Sequence, residues 1–192
     1  MKDKFNQFMK NESGITALET AIILIAFVVV AAIFAFTVLS TGTFLTERSK
    51  EAAYSGLQEV RGSMELKGSV VLLGTGDQIT FNLAPVAGGS SVDLSKVKMT
   101  FRMTPTNQDL SYDGSTTTYP TAGTTWIAID MNDASKTVAI LTAGSLAKIV
   151  VHSGTVIAAN QTFALEIKPP TGGVMQIERT APAQITTVTD LH

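Results

Sequence analysis

Between Ile15 and Leu39 the chain reads ITALETAIILIAFVVVAAIFAFTVL, a stretch whose single charge is Glu19. From Ala21 to Leu39, nineteen residues run with Thr37 as the only polar interruption. A helix rises about 1.5 Å per residue and the hydrocarbon core of a bilayer is roughly 30 Å thick, so this run is long enough to span a membrane. No other segment comes close. A carboxylate carried to the bilayer centre costs on the order of 2.5 to 3.5 kcal/mol, so Glu19 at the mouth of such a helix calls for a specific reason.

With 192 residues, the chain has room for one ordinary domain beside this segment. Beyond Leu39 it is poor in charge and rich in Thr, Ser, Ala, Val and Gly, a composition that favours strands and turns. Fourteen Lys and Arg against sixteen Asp and Glu, scattered rather than clustered, give no nucleic-acid footprint. The absence of cysteine excludes disulfides, thiolate metal sites and a cysteine nucleophile. An exported domain of this kind draws its stability from core burial or from neighbours in an assembly.

Ahead of the apolar run stands MKDKFNQFMKNESG, with Lys2, Lys4 and Lys10. The run is longer than the apolar part of an ordinary secretory signal and no small-residue cleavage motif follows it. Removal of the apolar segment is therefore not expected. The basic leader is expected to stay cytoplasmic while the rest of the chain crosses the membrane.

Gly14 followed by Ile15-Thr16-Ala17-Leu18-Glu19 resembles the class III signal of type IV pilins and archaeal flagellins (archaellins). The following segment, LETAIILIAFVVVAAIFAFTVLSTGTFLTERSKEAAYSGLQE, is similar to archaellins of methanogenic archaea, which covers roughly the first third of the chain. The resemblance implies that a prepilin peptidase cuts after Gly14, that Ile15 becomes the first residue, and that the apolar segment is kept. It also implies a glutamate five residues into the mature chain, the place of Glu19. Beyond this region the likeness is one of type rather than motif.

The chemistry of Glu19 is compatible with that scheme. A cut between Gly14 and Ile15 creates an amino group one helical turn from the Glu19 carboxylate, the i to i+4 spacing at which opposite charges pair, within one chain or between neighbours. The plainer reading, an acid favoured by the dipole of a helix N-terminus, stays open.

After Ser40 the pattern becomes amphipathic, with Ala53, Leu57, Val60 and Met64 at helical spacing and Glu47, Arg48, Lys50, Glu51, Glu59 and Arg61 largely elsewhere. The first proline is Pro85. One helix of nearly fifty residues is expected within 15–67, with Gly42 as the point for a kink. Apolar all round in its first half, such a helix needs a membrane first and other helices afterwards.

From Ser69 the period is that of strands: 69–73 and 78–85 around a Gly74–Asp77 turn, then 97–103, 125–131, 137–141, 148–152, 163–167, 174–179 and 184–188. In 97–103 the odd positions are apolar and the even ones polar, giving one buried and one wet face. Short strands at such intervals predict an immunoglobulin-like antiparallel β-sandwich over 68–192, with Trp126 central to its core and 107–125 as a long outer loop. The fold class is α+β: signal peptide 1–14, polymerisation helix 15–67, outer domain 68–192.

Catalytic chemistry is scarce. His152 sits in an apolar strand and His192 ends the sequence, so neither belongs to a metal-ligand pattern. Gly74-x-Gly76 and Gly172-Gly173 open no helix and read as turns. Asp130 and Asn132 offer alternating oxygen ligands without the rest of a calcium loop, so a turn is preferred to a metal site. Of two N-x-[ST] sequons, Asn11 lies in the leader, whereas Asn160 stands between strands of the exported domain and is the glycosylation candidate. No cofactor is expected.

The expected function is a non-enzymatic structural subunit of the archaellum filament, used for swimming, which the resemblance associates with a rotating ATP-powered base. Its partners would be identical subunits, a prepilin-type peptidase, the membrane before assembly and the archaellum assembly platform. Packing of Ile22, Leu24, Phe27, Val30, Ile33 and Phe36 would form the filament core, and a contact that repeats without closing would produce an open helical polymer on the cell surface. The rival readings are an adhesive type IV pilin-like subunit and a membrane-anchored binding domain that never polymerises; an extracellular enzyme is disfavoured by the lack of any triad or metal cluster.

Overall fold

The computed structural model describes residues 12–74 and 76–191. Lys2, Lys4, Lys10, the Asn11 sequon and His192 lie outside the described residues. The chain divides into two compact units, Met1–Ala53 and Tyr54–His192.

A single helix, α1, runs over Glu12–Arg61, fifty residues and about 75 Å long at the standard rise. It continues through Gly42 without interruption. Four of its threonine hydroxyls turn back on the helix: Thr20, Thr37, Thr41 and Thr46 each donate to the carbonyl four residues earlier, at 2.7–2.8 Å. Turned back on the helix in this way, a threonine can enter apolar surroundings without an unsatisfied group.

The helix ends at Arg61 rather than reaching Lys67, and β1 (Met64–Leu73) begins three residues on. Gly62 is the physical cause: it is buried against Thr171, where the added carbon of any other residue would stand 2.4 Å from the Thr171 carbonyl oxygen. Met64, which continues the helical spacing of Ala53, Leu57 and Val60, pairs instead with Pro85 and faces the β core.

The second unit continues with β2 (Gln78–Pro85), β3 (Val92–Asp93), a 3-10 turn at Leu94–Lys96, β4 (Lys98–Met103), β5 (Thr106–Tyr112), β6 (Thr125–Asp130), β7 (Ile140–Leu141), β8 (Ala147–His152), β9 (Thr162–Lys168), β10 (Met175–Thr180) and β11 (Val188–Leu191). Together with β1, eight of these form one hydrogen-bonded sheet in the order β10-β9-β4-β5-β6-β8-β2-β1-β11, with β3 and β7 as a separate pair. The ladder is antiparallel except at β5–β6, joined in parallel by two residue pairs, Ser111 with Thr125 and Tyr112 with Trp126. A long helix followed by an antiparallel-rich sheet is the expected architecture. In detail, however, the ladder is continuous where a sandwich would have two separate sheets.

Both halves of this sheet are dry on one face. Leu72, Phe81, Trp126 and Ile149 on one side of the β5–β6 junction, and Met99, Phe101, Leu165 and Ile177 on the other, belong to one buried cluster. The helical residues of this unit, Tyr54–Arg61, are all exposed, so the two halves must cover each other. The alternation in β4 holds: Met99, Phe101 and Met103 are buried while Lys98 and Arg102 are exposed. Phe101 stacks with Phe163 at 5.9 Å, and Trp126 meets Tyr112 at 4.7 Å. Trp126 is fully buried, as its place in the pattern predicts.

The expected loop over 107–125 is shorter, because Thr106–Tyr112 is β5. The remaining segment, 113–124, lies across the second face of β6 and β8. There Tyr119 packs on Ile127, Ile129 and Val150, receives a hydrogen bond from Lys148, and has that ammonium 5.1 Å from its ring centre. Gln78 donates to Pro120 O at 2.9 Å, and the ring Nδ1 of His152 meets Gly123 O. This strap explains why β6 and β8 are buried on both faces.

Candidate polymerisation surface

The exposed apolar surface of this protein is concentrated on α1. Ile22, Leu24, Phe27, Val30, Ile33 and Phe36 are between 60% and 75% exposed. Ile23, Ile25, Val28, Val29 and Phe34 between them, and Val38 and Leu39 just beyond, are exposed as well. At about 100° per residue, Phe27 and Phe36 point to opposite sides of the helix. There is no polar face on which this stretch could meet water, and among the described residues none buries it. The segment is long and apolar enough to cross a membrane.

At about 25 cal/mol per Å² of apolar surface removed from water, side chains of this size each gain roughly 1.5 to 3 kcal/mol on full burial. Surroundings that suit one face only, such as the surface of a globular domain, would leave half of that unrealised. Lipid, or several other apolar helices packed around α1, covers every side.

Polar character returns beyond Leu39. Arg48 donates to Glu51 at 2.9 Å and lies over the Phe44 ring, 5.5 Å from its centre. Both partners of the ion pair are largely exposed, so the pair contributes little to stability. It marks where α1 ceases to be wholly apolar. Ile15 and Glu19 sit four residues apart on the same helix, with Gly14 also helical and, among the described residues, nothing within 4 Å of a carbon added to it.

The remaining candidates are dispersed over the β unit. Asp130 accepts the Asn132 amide at 2.8 Å, and Asp133 accepts the Ser135 amide and hydroxyl. These carboxylates close turns, and among the described residues no group of three His, Asp or Glu is placed to hold a metal. His152 is buried between Gly123 and Asp77, whose carboxylate is 3.4 Å from Nε2. It ties the strap to the β1–β2 turn. Asn160 is exposed in a turn before β9 and adopts a left-handed φ of 61°. Its side chain is therefore presented to solvent, two residues before Thr162.

Hydrophobic patterning did not single out the contact at the end of α1. There Gly62, Gly89 and Gly172 allow backbone segments to touch. The signal in the sequence is weak, since a glycine closing a helix and a Gly-Gly pair in a turn are both common.

The model for archaeal-type flagellin matches residues 14–179. The chain is 36% identical to "Probable flagellin 1" of Archaeoglobus fulgidus, over 93% of this chain and 95% of the relative, and 33% identical to "Probable flagellin 1" of Aeropyrum pernix, over 93% and 97%. Its structure is similar to that of the archaeal flagellum of Methanospirillum hungatei strain JF1, with a TM-score of 0.63, 27% identity and coverage of 91% of this chain and 97% of the other. The crystal structure of archaeal flagellin FlaB1 from Methanocaldococcus jannaschii shares the fold, with a TM-score of 0.54 over 67% of this chain and 95% of the other at 19% identity. The apolar helix and the self-contained β unit thus occur together in a known filament protein, and this chain belongs to the archaeal-type flagellins, structural filament subunits that are not enzymes.

Proposed function

We propose that this chain is made as a membrane-held precursor, cut between Gly14 and Ile15 by a prepilin-type peptidase, and then assembled through α1 into the archaellum filament that propels swimming. The observation that carries this reading is the all-round exposure of α1 beside a β unit that already has a complete core. Removing the leader takes away Lys2, Lys4 and Lys10, the charges that would hold the helix in place across the membrane. The helix then passes from lipid to a bundle of identical helices at small cost, because the two surroundings are equally apolar.

In the assembled state Ile22, Leu24, Phe27, Val30, Ile33 and Phe36 form the filament core and the β units lie outside it. Glu19 pairs with the new amino group of Ile15, on its own chain or a neighbour's, and so sets the register of subunits. The archaellum platform adds subunits one at a time. Asn160, exposed on the outer unit, carries the N-linked sugar.

Mass spectrometry of surface filaments tests the scheme. It predicts an N-terminus at Ile15, this chain as a major component, and added mass on the peptide containing Asn160. Filaments that retain Met1, or mature-sized protein from a Gly14→Val precursor, would overturn the cleavage assignment. An adhesive role predicts a deletion strain that still swims; the archaellum reading predicts one that does not.

A further inference from the structure

The place where α1 leaves for the sheet is held by more contacts than a linker requires. Gly62, the first residue after the helix, is buried, and a side-chain carbon there would lie 2.4 Å from Thr171 O and 2.6 Å from Thr171 Oγ1. The approach is mutual: a carbon added at Gly172, whose φ is 113°, would lie 2.4 Å from the Gly62 carbonyl carbon. A second loop closes on the helix from elsewhere in the sequence. Ser90 donates its amide to the Arg61 carbonyl at 2.8 Å, and a carbon added at Gly89 would stand 2.8 Å from that same oxygen.

Hydrogen bonds complete the enclosure. Val86 N donates to Ser63 O at 3.1 Å, and Gly173 N donates to Ser63 Oγ at 3.1 Å. The Ser63 hydroxyl also donates to Glu59 O at 3.1 Å, one turn back in the helix. The Arg61 and Ser63 carbonyls are thus bound by the 86–90 loop, and the Ser63 hydroxyl that serves Glu59 O is itself held by Gly173 of the second loop.

We infer that Gly62, Gly89 and Gly172 are positioning residues that fuse the last turn of α1 to the β unit, so that the outer domain turns with the end of its helix rather than swivelling on a linker. Chain segments touching at backbone distance cannot slide without breaking several hydrogen bonds together, whereas a linker of similar length is free to rotate. The consequence for a filament that propels by rotation is direct. Motion delivered to this end of the helix reaches the outer surface without slack at the junction. The swimming arm of the test rests on the filament reading; the proteolysis arm does not.

Trypsin applied to the full-length chain in detergent micelles reads the junction alone, since cleavage at Arg61–Gly62 requires that segment to leave its place. The bond is expected to resist in the unmodified protein. It is expected to be cut at least about tenfold faster in Gly62→Ala and Gly172→Ala, as the open population rises. Gly56→Ala, upstream on the same helix with nothing within 4 Å of the added carbon, is the control and should leave the rate unchanged. Equal cleavage in all four proteins would overturn the inference.

The second arm uses the absence of native cysteine. A carbon at position 173 would be 3.7 Å from Ser63 Oγ, close enough for Ser63→Cys with Gly173→Cys to bridge. The oxidised double variant should assemble and swim within about twofold of the parent, before and after reduction. Failure to form the bridge, or assembly and swimming only after reduction, would show that the junction moves and would overturn the inference. Loss of the surface filament reading would remove the swimming readout but leave the proteolysis result standing.

Discussion

Phe27 and Phe36 on α1 are 75% and 73% exposed, whereas Phe81, Phe101 and Phe163 in the β unit are exposed by 1% or less. The difference does not lie in the side chain. Around Phe101, alternate residues of β4 are polar, and β5, β9 and the opposite half of the sheet supply the cover. Around Phe27 every neighbour along the helix is apolar and no described residue covers it. A segment patterned for one dry face finds its partner within the chain. One with no wet face must find partners outside it, so here the fold of the subunit and the fold of the polymer are written in separate stretches.

The contrast can be broken most sharply at Val29, which is exposed on α1 in the subunit. Val29→Asp places a carboxylate where all surroundings become apolar, at about 2.5 to 3.5 kcal/mol for each subunit. Filaments should be lost from electron micrographs while the thermal unfolding of the β unit is unchanged. Normal filaments would count heavily against a core built from α1. The reverse experiment is Trp126→Ala, which should lower β-unit stability by about 3 to 5 kcal/mol, measured by denaturant unfolding in full-length protein. The apolar segment of α1 should be no help to it.

Smaller effects sharpen the account of the outer unit. Tyr119→Phe keeps the ring over Ile127, Ile129 and Val150 but loses the hydroxyl that accepts from Lys148. A loss of about 0.5 to 1.5 kcal/mol is expected, with faster amide exchange confined to 113–124. The smallest effect concerns acid. Hydrogen bonds from the Ser95 side chain first, and then from Lys96, hold the Asp93 carboxyl below its usual range; Ser115 does the same for Asp113, and Ser135 for Asp133. Carboxylates lowered in the folded state stabilise it above their ordinary pKa, near 4. That contribution disappears as pH falls through the folded values. The melting temperature should therefore drop below about pH 4, and the drop should be shallower when Asp93, Asp113 and Asp133 are all replaced by Asn.

The apolar half of α1 was legible because it needs no tertiary information: nineteen residues with one threonine have few alternatives to a helix seeking apolar cover. Strands such as β2, β4, β6, β8 and β9 were legible from alternation or short apolar runs. The helix end was not, because Val60 to Met64 preserves helical spacing across Gly62, and only the contact with Thr171 reveals why the chain turns there. β5 was hidden for a different reason. In TNQDLSY only Leu110 is buried, and the strand is held by ladder bonds to β4 and β6 rather than by an apolar face. The run 184–188 predicts β11 a few residues too early: pairing with β1 starts only at Val188, just after Thr187 O accepts the amide of Gly74. Of the candidate sites, Asp130 closes a turn and His152 packs between the strap and the β1–β2 turn, whereas the glycine junction requires two loops distant in sequence to be seen together.

The central claim, that α1 is covered on every side by copies of itself, is tested most directly by hydroxyl-radical footprinting of intact filaments. Met131, exposed on the β unit, serves as the internal standard for accessible surface. After correction for intrinsic reactivity, Phe27, Phe34 and Phe36, which together sample opposite sides of the helix, should all be protected while Met131 is readily oxidised. Oxidation of Phe36 at the corrected rate of Met131, with Phe27 and Phe34 protected, would mean that one side of α1 remains open and would contradict the claim.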